Sequence, residues 1–169
     1  TLPWTSELIE QFKDYWHWDR LSSNASLPWS EELIFKYRYR WNWKALSANR
    51  SLPWTKELIE EYKMQWDWGE LSENTHLPWT AELIEKYQDR WNWKLLSYYN
   101  RGLPWTAELL EKYQDRWDWY YLSQNDYLPW TEELIEQFQD RLWWGKYCLS
   151  SSLHVAWTAE LLEKYQKRW

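Results

Sequence analysis

The sequence predicts an all-α protein, an α-solenoid of helix-turn-helix repeats with one longer and one shorter helix in each. Three observations predict it: a motif that recurs about every 25 residues, an apolar stripe of helical period inside each recurrence, and a tryptophan-dominated aromatic content. The motif is L-P-W-[ST], with its Trp at Trp4, Trp29, Trp54, Trp79, Trp105 and Trp130 and a degenerate V-A-W at Trp157. The spacings are 25, 25, 25, 26, 25 and 27 residues. Self-similarity at a fixed period of this size is the signature of a repeat architecture. The expected organisation is one array over 1–169, with repeats at 1–26, 27–51, 52–76, 77–102, 103–127 and 128–154 and a partial one at 155–169.

The first helix of each repeat follows from periodicity. Trp4, Leu8, Phe12 and Trp16 fall on one i, i+4 row, as do Trp29, Leu33, Tyr37 and Trp41. Glu7, Glu10 and Lys13 lie off that stripe, on what would be a solvated face. Pro3 and Thr5 are competing start signals, and Thr5, an N-cap residue with Glu7 in the first turn, is preferred. The stripe predicts about eleven helical residues. Trp16 and Trp18 are two apart and cannot share a helical face. The residue between the paired Trps is His17, Asn42, Asp67, Asn92 or Asp118, and Asn and Asp are good N-caps, so a helix of about two turns should begin there. It should stop near Asn24, Asn49, Asn74 or Asn125, a residue type that tolerates the left-handed conformation at a helix end. Helices this short do not persist alone in water, so each repeat must bury its stripe against its neighbours.

The 20 Trp and 13 Tyr exclude a disordered chain, which requires few aromatics. Each ring can bury roughly 150–250 Å², so the core is larger than the mean hydropathy of -0.92 implies. The net charge of -6 argues against nucleic acid or an anionic membrane surface as the main partner. Repeat by repeat, the charges run -2, +3, -4, +1, -3, -2 and +1; the alternation through the first five favours stacking in sequence order. No apolar run reaches the roughly 18 residues of a membrane span. A single cysteine, Cys148, allows no intrachain disulfide, and with no visible signal peptide the expectation tilts toward the cytoplasm. The start at Thr1 leaves a processed N-terminus open.

Catalysis needs unlike groups converging on one cleft, whereas here the candidates recur along an array. The row Glu7, Glu32, Glu57, Glu82, Glu108, Glu133 and Glu160 reads as first-turn dipole partners. His17, His76 and His154 are too scattered for a metal site. Ser22, Ser47, Ser72, Ser97, Ser123 and Ser150 read as caps or packing of the short helix. Three glycines supply no phosphate loop. The expectation is no catalytic, metal-binding or cofactor-binding residue, no cofactor, and no enzyme. The Trps, constant at helical spacing, read as core.

In repeat proteins, recognition belongs to positions that vary between repeats. Two clusters vary. One is aromatic, Tyr98, Tyr99, Tyr120, Tyr121 and Tyr127, with Tyr147 further on. The other is basic, Lys36, Arg38, Arg40, Lys44 and Arg50, read as a complement to the acidic third repeat or as a cradle for an acidic partner segment or a phosphate. The candidate partner-binding residues are Tyr98, Tyr99, Tyr120, Tyr121, Tyr127, Arg38 and Arg40.

The combination L-P-W-[ST]-x-E-L-I-E-x-Y with W-[DN]-W-x-x-L-S-x-N resembles the short Trp-rich tandem repeats of uncharacterised bacterial and giant-virus proteins, over essentially the whole chain. The resemblance implies an all-α array and no particular activity. Departures concentrate late, where Leu142 replaces a Trp, two residues are inserted near Tyr147 and Cys148, and Val155-Ala156 replaces Leu-Pro. The functional expectation is a non-enzymatic scaffold binding protein or peptide. The alternatives are a structural array that self-associates head to tail within a longer parent, and glycan or nucleic-acid binding. The expected partner is protein or the chain itself, with neither a membrane nor a small-molecule substrate.

Overall fold

Each repeat opens on a hydroxyl that closes the first helical turn. Thr5 Oγ1 accepts from the Leu8 amide at 3.2 Å. Ser30, Thr55, Thr80, Thr106, Thr131 and Thr158 do the same for the Leu three residues on. The Thr start therefore holds over the Pro start. In a computed structural model, which describes residues 3–98, 100–145, 148–151 and 155–168, the chain forms two lobes, Thr1–Trp91 and Asn92–Trp169. The first lobe holds α1 (Ser6–Gln11), α2 (Trp18–Ser22), α3 (Glu31–Lys36), α4 (Trp43–Ala48), α5 (Lys56–Glu61), α6 (Trp68–Glu73) and α7 (Ala81–Lys86). The second holds α8 (Trp93–Ser97), α9 (Ala107–Lys112), α10 (Trp119–Leu122), α11 (Glu132–Phe138) and α12 (Ala159–Tyr165). Short 3-10 turns lie at Leu149–Ser151 and Gln166–Arg168. The described residues contain helices and no strands, and the helices repeat as an α-solenoid does. No described helix is long and apolar enough to cross a membrane.

The first helices are shorter than the stripe predicts. α3 ends at Lys36, and the chain tightens into a turn in which the Arg40 amide donates to the Tyr37 carbonyl at 2.8 Å. The Ile34 carbonyl, which a longer helix would pair with the Arg38 amide, takes the Trp41 indole N–H at 3.1 Å. The offset of seven residues recurs from Trp16 to Ile9, Trp66 to Ile59 and Trp91 to Ile84. An indole thus satisfies a carbonyl that helix termination would orphan, and the sequence can stop its helix early without cost to backbone pairing.

The second helices start as predicted. Asn42, Asp67, Asn92 and Asp118 accept from the amide three residues ahead; His17 caps with its backbone conformation alone. α2 packs on α4 and α4 on α6 in the first lobe, and α8 packs on α10 in the second. The apolar interior of the first lobe holds Ile9, Ile34, Ile59 and Ile84 from the first helices and Leu46 and Leu71 from the second, and that of the second lobe holds Leu96, Leu110 and Leu122, all with no exposed surface.

The helix-ending asparagines correct the sequence reading. No described residue has positive φ, and Asn49 is extended at φ -77°, ψ 113°. Its role is tertiary. Asn49 Nδ2 donates to the Ser22 carbonyl of the preceding repeat at 2.9 Å while Oδ1 accepts from the Ser51 amide. Asn74 reaches Ser47, and Asn125 reaches Ser97, in the same way. The serines complete the clamp: Ser22 Oγ donates to the Trp18 carbonyl at 2.7 Å and accepts from the Asn42 amide of the next repeat at 2.9 Å. Both residue types are buried, Ser22 and Ser47 fully and Asn74 to 2 % exposure.

Candidate partner-binding surface

The framework aromatics are spent on the repeat seams. Trp43 lies 4.8 Å from both the Tyr62 and Trp66 rings of the next repeat, and Trp18 and Trp68 repeat that pair of contacts. In the second lobe Trp93 meets Tyr113 and Trp117. Tilted and edge-on geometries at these distances suit the ring quadrupoles. The expectation that the constant Trps are core therefore holds for Trp41, Trp66, Trp91 and Trp117, whereas Trp18, Trp43, Trp68 and Trp93 are half-buried at the seams.

The variable aromatics behave differently. Tyr98 closes α8 and stays 40 % exposed; Tyr120, on α10, is 42 % exposed. Tyr98 meets the edge of Tyr121 at 5.0 Å, Tyr121 meets Tyr120 at 5.3 Å, and Tyr120 meets Trp143 at 5.4 Å and 90°. Lys94 Nζ stands 5.0 Å from the Tyr121 ring centre. The second lobe thus carries one continuous row of rings, with Tyr98, Tyr120 and Trp143 exposed and Tyr121 half-buried among them. Three of the predicted tyrosines, Tyr98, Tyr120 and Tyr121, come together in it. Tyr127 is exposed but makes no ring contact with the row, its amide being held by Asn125 Oδ1. Tyr99 and Tyr147 lie outside the described residues.

Trp143, more than half exposed, is the member that sequence reasoning missed. It stands where other repeats carry an Asn or Asp N-cap, and its amide donates to the Ser123 hydroxyl as the Asn42 amide donates to that of Ser22. The signal was present as L-W-W in place of W-[DN]-W.

The predicted basic residues are mostly committed to neighbouring repeats. Arg40 pairs with Asp14 at 2.8 Å and donates to the Lys13 carbonyl, and Lys36 pairs with Glu10 at 2.8 Å. Lys44 faces Glu70 at 3.6 Å. The basic repeat therefore complements the first repeat as well as the acidic third. Lys13, Lys36 and the Tyr37 hydroxyl together hold the Glu10 carboxyl down to about 2. Among the described residues Arg38 makes no ion pair; its guanidinium donates to the Phe35 carbonyl at 2.9 Å and lies 4.3 Å from the Phe35 ring centre and 4.5 Å from that of Tyr39.

Among the described residues no group of three or more His, Cys, Asp or Glu could hold a metal ion. Cys148 is buried, and burial pushes its thiol up, away from the thiolate a nucleophile needs. The chemistry on offer at the surface is flat rings with phenolic hydroxyls and one nearby ammonium. No family model matches the chain, and no curated protein or solved structure matches it.

Proposed function

We propose that this chain is a non-enzymatic repeat scaffold that binds a protein or peptide through the Tyr98–Tyr121–Tyr120–Trp143 row. The observation that carries the reading is the contrast between two sets of rings. The framework aromatics are packed into seams, whereas Tyr98, Tyr120 and Trp143 stand exposed, with Tyr121 half-buried between them, at positions that differ from the other repeats. Tyr and Trp are enriched in the cores of protein interfaces because a rigid ring supplies contact area at little entropic cost. The resemblance to Trp-rich tandem repeats fits a scaffold and names no partner.

The test is quantitative affinity capture with the wild-type chain and a variant carrying Tyr98→Ser, Tyr120→Ser, Tyr121→Ser and Trp143→Ser. A partner retained by the wild type should fall at least about tenfold with the variant. A Tyr15→Ser, Tyr39→Ser control, which alters two other exposed rings, should keep it. Identical retention by all three proteins would sink the proposal. Light scattering tells a foreign partner from a second copy: growth in size with concentration, unchanged in the four-site variant, would favour head-to-tail self-association instead.

A further inference from the structure

At most seams within the first lobe, a cation from one repeat crosses to the previous one. Lys36 reaches Glu10, and Lys86 reaches Glu60 at 2.6 Å. Each lysine also stands 5.4 Å from the ring centre of the adjacent Tyr37 or Tyr87. Those tyrosine hydroxyls donate to the same carboxylates. The chain thus captures an ammonium between a tyrosine face and a carboxylate, and does so more than once.

The seam between the second and third repeats breaks this pattern on both sides at once. Phe35 stands where Glu10 and Glu60 stand, and Glu61 stands where Lys36 and Lys86 stand. Tyr39 replaces Asp14, and Gln65 replaces Arg40 and Arg90. What remains is a groove of about 350 Å³ lined by Glu31, Glu32, Phe35, Glu57, Glu61 and Tyr62. The equivalent groove one repeat on is about 200 Å³ and contains Lys56 and Lys86 at the places of Glu31 and Glu61. Among the described residues Glu31, Glu32, Glu57 and Glu61 have no ion-pair partner. Lys56, the lysine that α5 carries, is drawn to Glu82 at 2.9 Å. Tyr62 is 94 % buried, at 6 % exposure, yet its hydroxyl lacks the carboxylate acceptor that Tyr37 and Tyr87 have, because Phe35 replaces it.

We propose that this groove is a docking site for a lysine-bearing basic segment of a partner protein, whose ammonium takes the place of the lysine that this seam lacks. Phe35, more than half exposed, covers the aliphatic stem, and the four carboxylates and the Tyr62 hydroxyl receive the ammonium. Arg38 stands over the Phe35 ring at 4.3 Å without forming an ion pair with these four carboxylates, so several unpaired carboxylates beside an apolar floor still favour a cation on an apolar stem over a neutral or acidic segment. The site extends the scaffold reading to a second surface, on the other lobe, and does not require the aromatic row.

The probe is a fluorescein-labelled, N-acetylated tetralysine amide, titrated by fluorescence anisotropy at physiological ionic strength. The decisive variant combines Phe35→Glu with Glu61→Lys, which rebuilds the ladder of the other seams and fills the groove from within. It should keep its helical circular dichroism and weaken binding by at least about tenfold, while Glu73→Lys, a charge reversal elsewhere in the same lobe, should change it by less than about twofold. Glu61→Gln, which alters no packing, should weaken binding by about threefold and decides the matter if the double variant loses helicity. Absence of saturable binding to the wild type, equal binding by the rebuilt seam, or equal loss with Glu73→Lys would each overturn the site. The four-site aromatic variant should bind tetralysine like the wild type, so failure of one surface is distinguishable from failure of the other.

Discussion

At the scale of single residues, this protein uses polar side chains where a coiled coil would use apolar ones. Asn74 is buried to 2 % exposure with every polar atom engaged: Nδ2 on the Ser47 carbonyl, Oδ1 on the His76 amide. Removing one partner from such a group strands the others, which costs more than the bond itself contributes. Asn74→Ala should therefore lower unfolding stability by about 2–3 kcal/mol, read from the urea midpoint of the chain. A loss under about 0.5 kcal/mol would mean that water replaces the clamp. The Trp indoles follow the same logic. Trp29, Trp54 and Trp79 each donate to the carbonyl of the asparagine five residues earlier, so ring and N–H are both used. This explains why the repeat keeps tryptophan rather than phenylalanine.

At the scale of elements, six-residue helices persist because each end is closed from outside. The N-cap hydroxyls are the part that sequence alone reveals. Thr80→Ala should destabilise by about 1 kcal/mol, with Thr80→Ser close to neutral, as measured by thermal melting. An equal loss for both substitutions would place the effect in the methyl group instead of the hydroxyl. The other ends were not legible. Helical periodicity extended α3 and its counterparts through Trp41, because periodicity registers which face a residue occupies and not whether the backbone has tightened into a turn. Residue type alone points the asparagines to a left-handed cap, whereas their side chains serve a neighbouring repeat. No local pattern encodes a hydrogen bond to a residue 27 positions away.

At the scale of the molecule, the seams combine aromatic contact with a charge ladder. Glu60 is held down to about 2 by Lys63, Lys86 and the Tyr87 hydroxyl, as Glu10 is by Lys13, Lys36 and Tyr37. A carboxylate with a depressed folded-state value binds fewer protons folded than unfolded in the window between the two values. Its stabilisation is complete above the ordinary glutamate value of 4.5 and is lost as the pH falls toward about 2. The melting temperature should therefore drop across that window, and the Glu10→Gln, Glu60→Gln double variant should show a shallower drop. A variant that follows the wild-type curve would remove these two groups from the acid response. Both carboxylates are solvent-accessible, so added salt should weaken the effect.

The repeat, its helical class, the start of each helix and the division between constant and variable positions are all legible in the sequence. Those features are local: an N-cap is read within four residues, and a stripe within a few turns. The sequence also marks Tyr98, Tyr120 and Tyr121 as the place where repeats differ. Which variable residues meet is set by the packing of one repeat on the next. That packing joins Trp143 to the tyrosine row, commits Arg40 and Lys36 to the first repeat, and leaves the groove at Phe35 and Tyr62 without its lysine. The physical reason is that the partners of these side chains lie one repeat away in sequence but adjacent in space. Whether a charge or a ring is satisfied or open is therefore a property of the packed seam.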